Sequence, residues 1–292
     1  MRTSSRRLYY EIGILLILFI FVSGCADLAE VAEVVGVDQS IVNLMKSFED
    51  FTPEQEYYIG RTVGAIIIHQ YQPYDNEYAN KYINVLGQTL AQASDMPETF
   101  AGYHFLILDT DEINAFAAPG GLIFISRGLL RCAKNEDAVA AILAHEIGHV
   151  QHKHGLQAIK KSRITAALTN VAIEGVKKHG DKELAELTQV FGDSISDITT
   201  TLIKNGYSRS FEKQADMAAV TILQRVGYDP NGIVDMLNIM QERLQPGGLD
   251  FAKTHPSPED RIAYIQEVIG SYSKVETPED RQQRFIVALG NI

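Results

Sequence analysis

Residues 145–149 read His-Glu-Ile-Gly-His, and their types and spacing point to metal chemistry. Residues four apart in a helix lie on one face, so His145 and His149 are predicted to direct their imidazoles at one metal ion. Glu146 lies beside them, placed to take a proton from an attacking water molecule. If these side chains were buried without a partner, the penalty would be several kcal/mol, so a metal ion is the simplest explanation.

The residues around this motif predict the helix that must carry it. Asn135 is a favourable N-cap, two acidic residues follow where a helix start is positive, and an apolar run leads into the motif. We expect the helix to end near Gly155, with His152 and His154 in its last turn. For these two histidines we expect a structural role, or a contact to a metal ligand, rather than ligation.

A catalytic zinc site needs a third protein ligand and an open coordination position. Glu174 lies at a suitable distance along the chain, but Lys178 stands where one class of zinc peptidase has a supporting aspartate. Glu212 and Asp216 are stronger candidates because they share a helix face, where two like charges gain from a cationic target. The residues alone therefore favour Glu212 and leave Glu174 as the weaker alternative.

Several separated motifs occur together in this sequence: Asn114-Ala115-Phe116 before Pro-Gly-Gly, then His-Glu-Ile-Gly-His, then Tyr207-Ser208-Arg209 leading to Glu212 and Asp216. In this combination the sequence resembles the HtpX-like family of zinc metallopeptidases, and within it the periplasmic BepA-like branch, over roughly Thr52 to Ile269. The resemblance implies a zincin-type (gluzincin) domain with one Zn²⁺ per chain, held by His145, His149 and Glu212. It also implies that Asp216 orients a ligand histidine.

The family resemblance further implies that Asn114, Ala115, Phe116 and Ala117 form an edge strand that lines the cleft. An exposed edge binds an extended peptide through main-chain hydrogen bonds, with little selectivity for sequence. The alternative is a hairpin with a purely structural role.

His255, followed by proline, and the downstream Arg261 also match the family pattern. Either residue is a candidate for stabilising the oxyanion of the reaction. His255 has two further possible roles: it closes the open zinc position and holds the enzyme latent, or it caps the helix that begins near Ser257. The sequence leaves these alternatives open.

The wider sequence predicts an α+β fold that is predominantly α-helical, with one small β-sheet. Thr52 and Gln55 form a capping box with a proline between them, which starts the first helix. The predicted elements are helices to about Tyr71 and from about Asp75 to Ala93, a strand at Tyr103–Leu108, a hairpin over 114–125, and helices from Asn135 onward. The stretch 157–205 is predicted to be a helical insertion that covers the cleft as a lid or simply packs.

The first residues predict export. A basic leader precedes an apolar run, Ile12 to Val22, which is too short to span a bilayer and reads as a signal peptide. The run ends in Val-Ser-Gly-Cys, which resembles a bacterial lipobox, so Cys25 is the predicted lipidation site and membrane anchor. Ala26 stands where Gram-negative lipoproteins retained at the inner membrane have aspartate, which favours the periplasmic face of the outer membrane. The predicted domains are a signal peptide (1–24), a lipidated tether (25–51), a zinc metallopeptidase domain (52–270) and a C-terminal segment (271–292).

Composition narrows the class of partner. The chain has 292 residues, of which 46% are hydrophobic and 22% charged, so it can form an ordinary globular core. Its formal net charge is −11, and removing the leader, with three arginines and one glutamate, makes it −13. This charge argues against nucleic acid as a partner. After lipidation Cys132 is the only unmodified cysteine, which excludes an intramolecular disulfide.

Together these features predict a zinc-dependent endopeptidase of the cell envelope that hydrolyses peptide bonds of misfolded or assembling envelope proteins. The alternative is an envelope lipoprotein that binds such proteins as a chaperone does, with a structural or latent zinc site. The sequence favours the enzyme because Glu146 is not a ligand, and because a structural site would close its fourth position with protein.

Overall fold

The computed structural model describes residues 51–158, 192, 195–243, 257–272 and 277–292. The helices of these ranges include α1 (Pro53–Gln70), α2 (Glu77–Gln92), α3 (Arg127–Leu130), α4 (Glu136–Gln151), α5 (Arg209–Val226), α6 (Asn231–Arg243), α7 (Pro258–Ile269) and α8 (Glu279–Leu289). Residues 154–158 and 195–200 are also helical. The strands are β1 (His104–Leu108), β2 (Ala115–Ala118) and β3 (Leu122–Ser126), with a 3₁₀ turn at Pro119–Gly121 and a π-helical turn at Thr201–Asn205. The predominantly helical architecture with one small sheet is confirmed.

Some sequence predictions fall on residues outside these ranges. They concern the signal peptide, Cys25, the tether up to residue 50, Glu174, His255 and most of the predicted insertion. Among the described helices, none is long and apolar enough to cross a bilayer.

The first helix begins where the capping box predicts. The Thr52 hydroxyl accepts a hydrogen bond from the Gln55 N–H at 3.2 Å, and Gln55 Oε1 accepts one from the Thr52 N–H at 3.0 Å. Gly60 of α1 then lies directly against the 3₁₀ turn, since a Cβ at this position would be 1.8 Å from the Pro119 carbonyl oxygen. Helix α1 therefore supports the tip of the predicted hairpin.

The sheet has the order β1-β3-β2, so β2 lies at an edge. Strand β3 pairs in parallel with β1 and antiparallel with β2, with Phe116 opposite Phe124. The hairpin prediction is confirmed, and its turn needs glycine because Gly120 and Gly121 have φ values of 78° and 94°.

Helix α4 passes through the core, and every residue from Glu136 to Val150 is buried. Asn135 caps it as predicted, its side chain accepting a hydrogen bond from the Ala138 N–H at 2.9 Å. The prediction for its other end is wrong: α4 ends at Gln151, and Lys153 adopts a left-handed backbone with φ 54°. The chain therefore turns back before His154.

Two apolar clusters hold these elements in place. The larger cluster packs α2, α4, α5 and α6 against one face of the sheet, and it includes Ala115 and Ala117 of β2. The smaller one packs α1 and residues 195–202 against the opposite face, with Phe116 and Ala118. The alternation along β2 follows from the two-residue period of a strand.

Candidate metal centre

Three side chains of α4 and α5 converge on one point. The Nε2 atoms of His145 and His149 lie 3.1 Å apart, and the Glu212 carboxylate oxygens lie 3.6 Å and 3.3 Å from them. All three residues are buried. Two atoms at about 2.1 Å from a tetrahedral zinc ion would lie about 3.4 Å apart, so both the spacing and the donor types suit zinc. Among the histidine, cysteine and acidic side chains of the described residues, His145, His149 and Glu212 are the group whose ligand atoms lie close enough together to hold a metal ion.

The helix that supplies Glu212 is fixed by local sequence. Gly206 adopts φ 69° and ψ 177°, a conformation that favours glycine, and Ser208 then caps α5. Glu212 thus lies in the first turn of α5, one turn before Asp216. The shared face predicted for these two carboxylates is present.

His145 is held from behind by Asp216. The distance from its Nδ1 to Asp216 Oδ1 is 2.8 Å, which leaves Nε2 facing Glu212. Burial and the nearby charge of Arg261 lower the pKa of His145, but Asp216 and Glu212 together outweigh them and raise it to about 9. The imidazole therefore lies in a strongly anionic environment that suits a cation.

Arg261 contacts Asp216 through two nitrogens. Its Nε and Nη2 donate to the two carboxylate oxygens at 3.0 Å and 2.6 Å, and Tyr264 also donates its hydroxyl to Oδ2. Burial would raise the pKa of Asp216, but the charges of Arg261 and His145 hold it below its usual range. Arg261 Nη1 lies 4.0 Å from Glu212. The structure thus places Arg261, predicted as an oxyanion donor, in an ion pair with Asp216 behind His145.

His149 has a different partner from His145. Its Nδ1 lies 2.8 Å from Nδ1 of His154, whose Nε2 lies 2.9 Å from the Gln214 side-chain oxygen. The ring of His154 stacks on Phe211 at 4.3 Å with an interplanar angle of 8°. Burial lowers the pKa of His154 to about 4. The imidazole of His154 is therefore neutral at physiological pH.

Glu146 is buried in α4, directly after His145. Its carboxylate makes no hydrogen bond or ion pair with any of the residues that the structure describes, and burial raises its pKa to about 7. A general base works best when its pKa lies near the working pH. The neighbouring His145 opposes this rise in pKa, and Glu212 adds to it.

The predicted peptide-binding segment lies where an edge strand should be. The Ser126 N–H donates to the Asn114 carbonyl at 3.0 Å, so antiparallel alternation turns the main-chain groups of Ala117 away from β3. The side chains of β2 are buried on both faces. Among the described residues, no backbone group of a turn or loop forms a hydrogen bond with the N–H or C=O of Ala117.

His154 contacts His149, one of the roles expected for it from the sequence, whereas the sequence did not single out Gln214 or Tyr264. Gln214 lies two residues after Glu212, and Tyr264 lies three after Arg261, so neither spacing distinguishes it from an ordinary helix residue. The contact between His154 and His149 depends on the left-handed backbone conformation of Lys153. A lysine at this position does not predict that conformation.

Comparison with known proteins gives a consistent result. Residues 77–269 match the model of Peptidase family M48. The chain is 31% identical over 189 residues to a beta-barrel assembly-enhancing protease of Escherichia coli, covering 63% of this chain and 37% of that protein. A putative beta-barrel assembly-enhancing protease of Vibrio cholerae is 28% identical, over 76% of this chain and 45% of that protein. The mitochondrial metalloendopeptidase OMA1 of Schizosaccharomyces pombe is 31% identical, over 53% of this chain and 43% of that protein. The chain thus spans less than half the length of each of these relatives.

Proposed function

Because the chain belongs to peptidase family M48 and is a metalloprotease, we propose that it is a zinc-dependent endopeptidase with His145, His149 and Glu212 as zinc ligands. One observation carries this proposal. Two imidazole Nε2 atoms and one carboxylate, all buried, lie at the mutual distances that a tetrahedral zinc ion needs. The buried Glu146 carboxylate follows His145 directly in α4 and has no partner among the described residues.

The protein's own residues divide the chemistry between them. When bound, zinc supplies Lewis acidity that activates water and polarises the carbonyl of the scissile peptide bond. Glu146 takes the proton from the attacking water and delivers it to the leaving amine, a role for which a pKa of about 7 is suitable. Asp216 and Arg261 keep the ring of His145 in place, so Arg261 acts on the ligand rather than on the substrate.

We propose polypeptides in an extended conformation as substrates. The main chain of β2 at Ala117 faces away from the sheet, so a peptide strand can add there by main-chain hydrogen bonds. The names of the bacterial relatives refer to the assembly of β-barrel proteins, which supports envelope proteins as the substrate class. His255 remains our candidate for stabilising the oxyanion or for closing the fourth metal position.

The site of action follows from the N-terminal sequence. We propose that residues 1–24 are removed and that Cys25 is lipidated, which anchors the protein at the periplasmic face of the outer membrane. Replacing this residue (Cys25→Ser) is expected to move the protein from the membrane fraction to the soluble periplasmic fraction. Retention of the variant in the membrane fraction would rule out the lipid anchor.

The decisive experiment combines metal analysis with a cleavage assay on the purified mature protein. We expect about one zinc ion per chain and cleavage of an unfolded protein that a chelator abolishes and added zinc restores. Glu146→Gln is expected to lower the cleavage rate about 10²–10⁴-fold, because an amide cannot accept the proton of the attacking water. Zinc content should stay at the wild-type level in this variant.

Two further variants separate the competing assignments. Glu212→Ala should lose zinc on dialysis, and unchanged zinc content would exclude Glu212 as a ligand. Glu146→Gln in cells that lack the protein tests the chaperone-like alternative, because full rescue of the envelope phenotype by this variant would favour binding over proteolysis. Undiminished cleavage by purified Glu146→Gln would overturn the proposed base.

A further inference from the structure

The contact between His149 and His154 joins two ring nitrogens that share one proton. Their Nδ1 atoms are 2.8 Å apart, which is hydrogen-bond distance, so one nitrogen donates and the other accepts. Nε2 of His149 faces Glu212 and His145. This inference rests on the proposed function: if that Nε2 binds zinc, it carries no proton, and His149 must hold its proton on Nδ1.

The direction of every later hydrogen bond then follows. Because Nδ1 of His154 accepts from His149, His154 can carry a proton only on Nε2. That nitrogen lies 2.9 Å from the Gln214 oxygen, which can only accept. We infer that His154 and Gln214 form a hydrogen-bond relay that fixes His149 in the tautomer able to bind metal.

The surroundings of His154 suit a positioning role. Its side chain is fully buried, and its ring is held against Phe211 at 4.3 Å. Tyr207 stacks on the ring of His149 at 4.4 Å. Rings clamped in this way keep the two Nδ1 atoms facing each other.

Helix α5 thereby controls both ligand histidines besides supplying Glu212. Asp216 directly accepts a hydrogen bond from Nδ1–H of His145, whereas Gln214 acts on His149 through one intervening imidazole. The Nδ1 atom of His145 thus contacts an anion, whereas the Nδ1 atom of His149 contacts the His154–Gln214 relay. An anionic partner raises the basicity of a ligand histidine, and a neutral one mainly sets its orientation.

The test uses variants that remove, keep or reverse one hydrogen bond of the relay. His154→Phe keeps an aromatic ring against Phe211 but removes the acceptor, and it should weaken zinc binding about 10–100-fold in a chelator competition assay. Gln214→Glu still accepts from His154 and should bind zinc almost as the wild type does. Gln214→Lys donates instead of accepting, so it favours the wrong tautomers and should weaken binding. Since Gln214 is exposed, both of its variants should fold.

A nuclear magnetic resonance measurement gives a readout that packing alone would not produce. In the ¹⁵N-labelled zinc-loaded protein we expect His154 to be the Nε2–H tautomer, with a scalar coupling between the two Nδ1 atoms across their hydrogen bond. Met217→Lys, which adds the same charge elsewhere on the exposed surface of α5, should leave both zinc affinity and this coupling unchanged.

Two results would overturn the relay: wild-type zinc affinity in both His154→Phe and Gln214→Lys, or His154 carrying its proton on Nδ1. If His154→Phe does not fold, the Gln214 pair decides. A wild-type protein that binds no zinc would instead contradict the proposed function. In that case the scalar coupling between the Nδ1 atoms of His149 and His154 is measured in the protein as purified. Absence of this coupling would overturn the relay as well.

Discussion

At the scale of single residues, the two imidazoles of the proposed metal site have unequal surroundings. His145 lies between Asp216 and Glu212, and the charges of Arg261 and His145 hold the pKa of Asp216 below its usual range. Among the residues that the structure describes, the Nδ1 side of His149 faces the imidazole of His154, which in turn faces the neutral amide of Gln214. The carboxylates beside His145 favour a proton on its ring, and zinc must compete with that proton.

This difference predicts that zinc binding releases a proton. The pKa of His145 is raised to about 9, so at pH 7 its imidazole is protonated and zinc must displace that proton. Affinity should increase by up to about tenfold per pH unit as the pH rises towards 9, and His145 should add nothing above it. Calorimetry in buffers of different protonation enthalpy measures the protons released.

Asp216→Asn provides the control for this prediction. It removes the carboxylate that raises the pKa of His145 while keeping a hydrogen-bond acceptor, so the pH dependence should shift to lower pH. Affinity that is flat between pH 6 and 9 in the wild-type protein would contradict the prediction.

At the scale of secondary-structure elements, the distance between α4 and α5 determines whether Glu212 reaches the histidines. The two helices cross at Gly148, where a Cβ would lie 2.8 Å from the Ala215 carbonyl oxygen and 3.0 Å from its Cα. These atoms are backbone and cannot move without moving α5. The glycine inside the His-Glu-Ile-Gly-His motif thus sets the helix separation that the site requires.

Gly148→Ala is accordingly expected to impair the site through packing. The added methyl group should push α5 away, lower the free energy of unfolding by about 1–3 kcal/mol and weaken zinc binding. Thermal denaturation and chelator competition on the same samples measure the two effects.

Gly64→Ala on α1 is the matched control, because it also adds a methyl group to a buried helical glycine. Its Cβ would lie 3.1 Å from an atom of the Phe124 ring, a side chain that can adjust, and α1 supplies no ligand. We expect a smaller loss of stability and unchanged zinc affinity. Equal loss of zinc affinity in both variants would show that the close crossing at Gly148 is not what matters.

At the scale of the whole molecule, helix α8 contacts the first residue of α4 through hydrogen bonds. Arg284 donates to both carboxylate oxygens of the buried Glu136, at 3.2 Å and 2.6 Å, and Tyr82 and Tyr228 donate to the same carboxylate. The apolar residues Phe285, Ala288 and Leu289 of α8 join the larger cluster. This helix begins beyond residue 269, where the match to the family model ends.

Arg284→Gln tests that attachment. Removing the guanidinium leaves Glu136 with two tyrosine donors, and the arginine side chain is 54% exposed, so we expect a loss of about 1–2 kcal/mol in unfolding free energy. Denaturant titration measures it.

Arg209→Gln is the control for this prediction, since Arg209 pairs with Asp260 at 3.5 Å with side chains 84% and 55% exposed. That change should cost at most about 0.5 kcal/mol. A loss for Arg284→Gln no larger than that of the control would mean that the Glu136 network does not depend on α8.

The sequence by itself determined the features that depend on near neighbours. The capping box at Thr52, the glycine turn of the hairpin and the cap at Asn135 are set by contacts within a few residues. Helical periodicity likewise placed His145 and His149 on one face, and the same holds for Glu212 and Asp216. Matching of separated motifs then identified the family.

Only the tertiary structure decided which groups meet across the site. In a continuous helix His154 would lie about 140° around the axis from His149, but the left-handed turn at Lys153 returns it to 2.8 Å. The position of Arg261 against Asp216 depends on how α7 packs on α5. These contacts join residues 5 and 45 positions apart in sequence. They depend on the summed packing of the core, which no local pattern of residues encodes.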